Sequence, residues 1–94
     1  MRGRQPAPHS MNLHQFNALP YDRQLVAVFD CGIFLARRYE EEDAVNLYHL
    51  FGSFFVELYY DTQVNELVGL RSFTSKRPLE DYAAYITLPG AFDA

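Results

Sequence analysis

The chain has 94 residues, a single cysteine and a formal net charge of −4, enough for one small domain and no more. One cysteine, Cys31, cannot close an internal disulfide, which excludes the disulfide-rich secreted class. Hydrophobic residues make up 49% and charged residues 21%, a globular balance, and a pI near 5.2 argues against a protein that works along phosphate backbones.

Residues 1–10 (MRGRQPAPHS) hold two arginines and two prolines, with no large apolar residue after Met1. They read as a disordered tail, an upstream start or an expression remnant, with no apolar segment of the kind a signal peptide needs. The folded domain is expected over 11–88, with a C-terminal tail at 89–94. Residues 11–19 predict a short helix capped by Ser10 or Asn12, with Leu13, Phe16 and Leu19 at helical spacing. Pro20 ends that helix and opens a second one running to about Asp30, whose expected inner stripe is Tyr21, Leu25, Val28 and Phe29. Gly32 is expected to stop it in a left-handed conformation.

Beyond Gly32 the apolar pattern changes to that of strands. They are predicted at 33–39, 44–51, 54–60 and 66–73, joined by the acidic run Glu40-Glu41-Glu42-Asp43, a turn at Gly52-Ser53 and a turn over 61–65. Links this short permit only an antiparallel meander. Thr74 or Ser75 then caps a last helix with Pro78 in its first turn and Leu79, Tyr82, Ala83 and Ile86 on one stripe. The expected fold is therefore α+β, in the order α-α-β-β-β-β-α. Two N-terminal helices and one C-terminal helix would pack on one face of a four-stranded antiparallel sheet.

That arrangement leaves the other face to explain. In the third strand Phe54, Val56, Leu58 and Tyr60 alternate with Phe55, Glu57, Tyr59 and Asp61. The first set belongs under the helices, together with Val68 and Leu70 of the fourth strand. The second faces outward, where Arg71 is placed to meet Glu57 as a surface pair. Phe73 breaks this parity, which suggests a bulge or the strand's end nearby. Pattern alone leaves the facing of the first two strands open. Seven Tyr and eight Phe in so short a chain exceed what a small core absorbs readily, so part of this aromatic surplus is expected at a contact surface.

A search for chemistry finds little. Cys31 lies beside Asp30, and a neighbouring carboxylate discourages thiolate formation. His9, His14 and His49 have no metal-ligand spacing, and the acidic run lacks the oxygen pattern and glycine of a calcium loop. No glycine-rich phosphate loop precedes a helix. No catalytic residue, cofactor or metal is assigned. No apolar run reaches the ~18 residues of a membrane span.

Taken together, LHQFNALP, FDCGIFLARR, LYHLFGSFFVELYYD, NELVGLRSFTS and PLEDYAAYI make the chain from Leu13 to Ile86 resemble a group of small proteins of unassigned function from Bacteroidetes-type bacteria. The resemblance implies a stand-alone cytoplasmic domain. It carries over no catalytic or binding residue.

Three readings of the outer face follow. The first is a non-enzymatic interaction domain, a homodimer or a dock for a protein partner, using Phe55, Glu57, Tyr59, Arg71 and His49. The second is a small-ligand or enzymatic site built from Arg71, Glu57, His49 and Tyr59. The third is single-stranded nucleic-acid binding on the same rings, disfavoured by the acidic balance.

Overall fold

A computed structural model describes residues 10–82. Their elements are α1 (Leu13–Asn17), α2 (Tyr21–Cys31), β1 (Gly32–Glu40), β2 (Asp43–Leu50), β3 (Phe54–Asp61), β4 (Glu66–Phe73) and a closing 3-10 helix (Arg77–Tyr82). The four strands form one antiparallel sheet in the order β1-β2-β3-β4. Fold class and element order are those the sequence predicts. The expected tail at 1–10, save Ser10, the segment at 89–94, and Ala83 and Ile86 of the last stripe lie outside the described residues.

Local chemistry explains the element boundaries. Asn12 caps α1: its side chain accepts from the Gln15 amide while the Gln15 side chain accepts from the Asn12 amide, a reciprocal box that satisfies two orphan donors. Pro20 is the N-cap of α2 rather than its first residue. Gly32 does not adopt the expected left-handed cap. Its φ is −77°, extended, and α2 passes into β1 without a loop. What requires glycine there is space, since a Cβ would stand 2.5 Å from the Val28 carbonyl oxygen.

The turns follow their own rules. Glu41 and Glu42 form the β1–β2 turn, with Glu41 at φ 55°. In the β2–β3 turn the left-handed pair is Phe51 and Gly52, one residue earlier than expected, closed by the Ser53 amide on the Leu50 carbonyl. Asp61 organises the β3–β4 turn by accepting from the Gln63 amide at 2.8 Å, and Asn65 takes the left-handed position. Thr62 donates to the Glu42 carbonyl at 2.7 Å and so fastens this turn to its neighbour.

The sheet is buried on both faces, and this corrects the expected architecture. On the first face, α1 and α2 bring Phe16, Ala27 and Val28 against Leu50, Phe54, Val56 and Leu58. Each of these Phe, Val and Leu side chains contributes about 1.5–3 kcal/mol of burial. On the second face, Leu79 and Tyr82 of the 3-10 helix pack with Ala36, Leu47, Phe55 and Phe73. The C-terminal helix therefore covers the face opposite α1 and α2, not the same one. Phe73 leaves the sheet on that second face, in register with Phe55 and stacked on it at 5.6 Å, so the three-residue link from β4 delivers the helix there.

Smaller corrections follow from the register. Leu47 and Ala36 point to the second face and Tyr48 and Leu50 to the first, with a bulge between Phe34 and Ala36. A second irregularity beside Tyr59 and Tyr60 turns Val68 outward, 56% exposed, and sets Leu67 against the first core in its place. In α2 the inner stripe is rotated: Ala27 and Val28 are buried, while Tyr21 and Phe29 are exposed.

Candidate functional site

Glu57 occupies the middle of the second face and is fully buried. Its direct neighbours across the sheet are Leu47 on β2 and Arg71 on β4. Four donors converge on the carboxylate. The Tyr82 hydroxyl donates to Oε2 at 2.8 Å, and Arg38 Nη2 to the same oxygen at 3.3 Å. The Tyr59 hydroxyl donates to Oε1 at 3.2 Å, and Arg71 Nε lies 3.3 Å from it. Four donors match the number of lone-pair sites on a carboxylate.

The surrounding groups keep the two phenols of this arrangement protonated. Arg38 is itself buried, places its guanidinium over the Tyr82 ring at 5.3 Å and reaches the exposed Glu40 at 3.1 Å. Among the described residues its Nε has no hydrogen-bond partner. Burial pushes the Tyr82 phenol far above its usual range, and the hydrogen bond to Glu57 and that residue's charge push it further. Tyr59 moves in the same direction, first through burial and then through Glu57.

Of the five residues placed on the outer face by sequence, the structure brings Glu57, Tyr59 and Arg71 into one cluster. His49 and Phe55 sit one row away, the imidazole stacked on the Phe55 ring at 4.7 Å. Yet Phe55 and Glu57 are interior residues, because the 3-10 helix lies over them. They offer no surface for docking. The Glu57–Arg71 contact is a pair with one buried member, not the surface pair expected. A carboxylate enclosed by four donors is also a poor general base, since proton transfer needs an open approach to the oxygen. The cluster fastens the C-terminal helix to the sheet.

Two other places remain open. The first is β1, which among the described residues is unpaired on its outer side. It exposes Ile33, Phe34 and Tyr39, and Val26 and Phe29 are exposed just before it on α2. Sequence reasoning did not single out this edge, because pattern left the facing of the first strand open and Phe29 was expected on the inner stripe of the helix.

The second is a concavity of about 370 Å³ on the first face, beyond the reach of the helices. Tyr39, Ala44 and Tyr60 are direct neighbours across three strands, so a small residue separates two rings. In the same region Arg37 Nε donates to Oδ1 of the buried Asn46 at 2.7 Å. Thr62 and Asn65 close the loop side. The alternation of small and aromatic residues was visible in sequence only once the register was known.

Among the described residues, no three His, Cys, Asp or Glu side chains converge to hold a metal ion, and no helix is long and apolar enough to cross a membrane. Comparison with protein-family models, with curated proteins and with solved structures gives no match to the chain.

Proposed function

We propose that the protein is a non-enzymatic interaction domain that associates with a second copy of itself through the open edge of its sheet at β1. The observation that carries this reading is the edge itself: a nine-residue strand that has, among the described residues, no neighbour on one side and bears three exposed large apolar side chains. Sheet edges of this kind present unpaired N–H and C=O groups to any matching strand. Prolines and lysines, the usual guards of such edges, are absent from β1, and Arg38 turns inward to Glu57.

The occupant is a second copy because β1 is self-complementary. Antiparallel pairing about a two-fold axis at Arg37, carried across the bulge between Phe34 and Ala36, sets Phe34 of one copy beside Tyr39 of the other, and Ile33 beside Glu40. Phe34 and Tyr39 lie on the same face of the sheet, in register with Tyr48 and Ala44 of β2. The pairing thus covers four exposed rings, in two pairs related by symmetry. Aromatic cross-strand pairs of this type contribute roughly 0.2–1 kcal/mol each beyond the backbone bonds.

The test is amide hydrogen exchange at increasing protein concentration. The expected result is slowing confined to β1, with β4, the other edge, unchanged. Exchange at β1 that is independent of concentration, or slowing at β4 instead, contradicts the reading.

A further inference from the structure

We infer that the self-association at β1 is governed by ionic strength, with the β1–β2 turn of each copy as the charged element that holds two copies apart in dilute salt. This regulation rests on the pairing proposed above. Two residues, Glu41 and Glu42, join β1 to β2, so Glu40 and Asp43 exchange both backbone bonds, and bonded pairs alternate along the ladder. Arg38 and Ala36 therefore bond to β2 as well, while the amides and carbonyls of Arg37 and Tyr39 point to the outer side. A two-fold axis at Arg37 uses those outward groups.

Carried past the bulge, the same pairing lays Ile33 beside Glu40 of the other copy and Gly32 beside its Glu41. Gly32 is where α2 passes into β1. The turn of one copy thus meets the C-terminal end of α2 of the other, at two places related by symmetry. That helix end carries the negative pole of the helix dipole, has Asp30 in its last turn and has no basic residue there. Asp30, Glu41 and Glu42 are exposed, and among the described residues none of the three forms an ion pair. Each junction therefore brings three carboxylates to a negative helix end.

The arginines of β1 do not offset this charge. Arg38 is spent on Glu40 and Glu57, and Arg37 is bonded to Asn46 and meets its own copy at the axis, a further pair of like charges. Paired strands lie about 4.8 Å apart, so turn and helix end stand well inside the Debye length of ~30 Å at 0.01 M salt. That length shrinks to ~10 Å at 0.1 M and ~3 Å at 1 M. Strong salt thus silences the repulsion and leaves the apolar contacts of Phe34 and Tyr39 to hold the pair.

The experiment is sedimentation equilibrium of the full chain at about 0.01 M and about 0.5 M sodium chloride. The expected native result is a dimer whose dissociation constant is lower by about tenfold or more in the stronger salt. Glu41→Gln combined with Glu42→Gln tightens the dimer about fivefold in dilute salt and leaves it nearly unchanged in strong salt. Asp22→Asn combined with Glu66→Gln, exposed at the far end of α2 and on β4, removes the same net charge and shifts either value by less than about twofold. Both double variants keep the native amide spectrum away from the substitutions. A native dimer indifferent to salt, or a turn variant that behaves as the control variant does, overturns the regulation and leaves the association standing. A chain that is monomeric in both salts, natively and with the turn substitutions, overturns the association and this regulation with it.

Discussion

The Tyr82 hydroxyl donates to Glu57 Oε2 at 2.8 Å across 25 residues of chain, and both side chains are fully buried. This bond joins the last described helix to the centre of the sheet. It also places a carboxylate inside a small domain, where only a complete set of donors makes it tolerable.

Removing the charge at Glu57 should therefore be costly. Glu57→Gln leaves the buried Arg38 guanidinium without its inner counter-ion, and breaking a buried pair in this way costs about 3–5 kcal/mol. Urea unfolding measures it directly. A loss below about 1 kcal/mol, a surface pair's worth, would mean that the cluster is not what fastens the helix.

The same bond sets an alkaline limit. Burial holds the Tyr82 phenol protonated well above its ordinary range, and Tyr59 and Tyr60 shift the same way, burial first. A raised pKa in the folded state gives stability that is complete below the unfolded value, about 10 for tyrosine, and lost as pH rises beyond it. Stability should fall above roughly pH 10, with Tyr82 contributing up to about 1.4 kcal/mol per pH unit. Tyr82→Phe should flatten that slope by the same amount. An unchanged slope contradicts the assignment.

Two glycines separate space from conformation. Gly32→Ala forces a Cβ to within 2.5 Å of the Val28 carbonyl oxygen, so the α2–β1 junction must shift, at a cost of about 1–3 kcal/mol. Gly69→Ala meets nothing closer than the Tyr59 Cβ at 3.8 Å and should be neutral or slightly stabilising. Thermal unfolding of the two variants side by side distinguishes them, and equal melting temperatures refute the difference.

At the acidic tip, Glu41 holds φ at 55° with no glycine to make that conformation free. Glu41→Gly should stabilise the protein by about 0.5–1 kcal/mol, through relief of strain and of like-charge crowding. Calorimetry that shows destabilisation would contradict this.

How far the fold was legible depends on which question is put to the residues. Element order follows from Pro20, the acidic run and the period-2 pattern of 54–61, because turn chemistry and apolar periodicity act locally. The face chosen by the C-terminal helix does not. Leu79 and Tyr82 state that one side of that helix is buried, but not against which side of the sheet. The available signal was Phe73. It shares a parity with Arg71, Glu57 and Phe55, and marks the second face as apolar where the chain leaves it. Reading it as a break in the pattern hid the second core. That error carried the candidate site with it, since Phe55 and Glu57 look like surface residues only while nothing lies over them. Exposed β1 was only half legible: a meander makes the first strand an edge, but Ile33, Phe34 and Tyr39 have strand-core composition, which hid that they stand exposed.

The most direct test of the proposed self-association is light scattering behind a sizing column, at two protein concentrations, for the native chain and for Phe34→Arg. The account predicts a native dimer whose fraction rises with concentration, and a folded monomer for the variant. A native chain that remains monomeric at both concentrations, or a dimer that Phe34→Arg leaves intact, would contradict it.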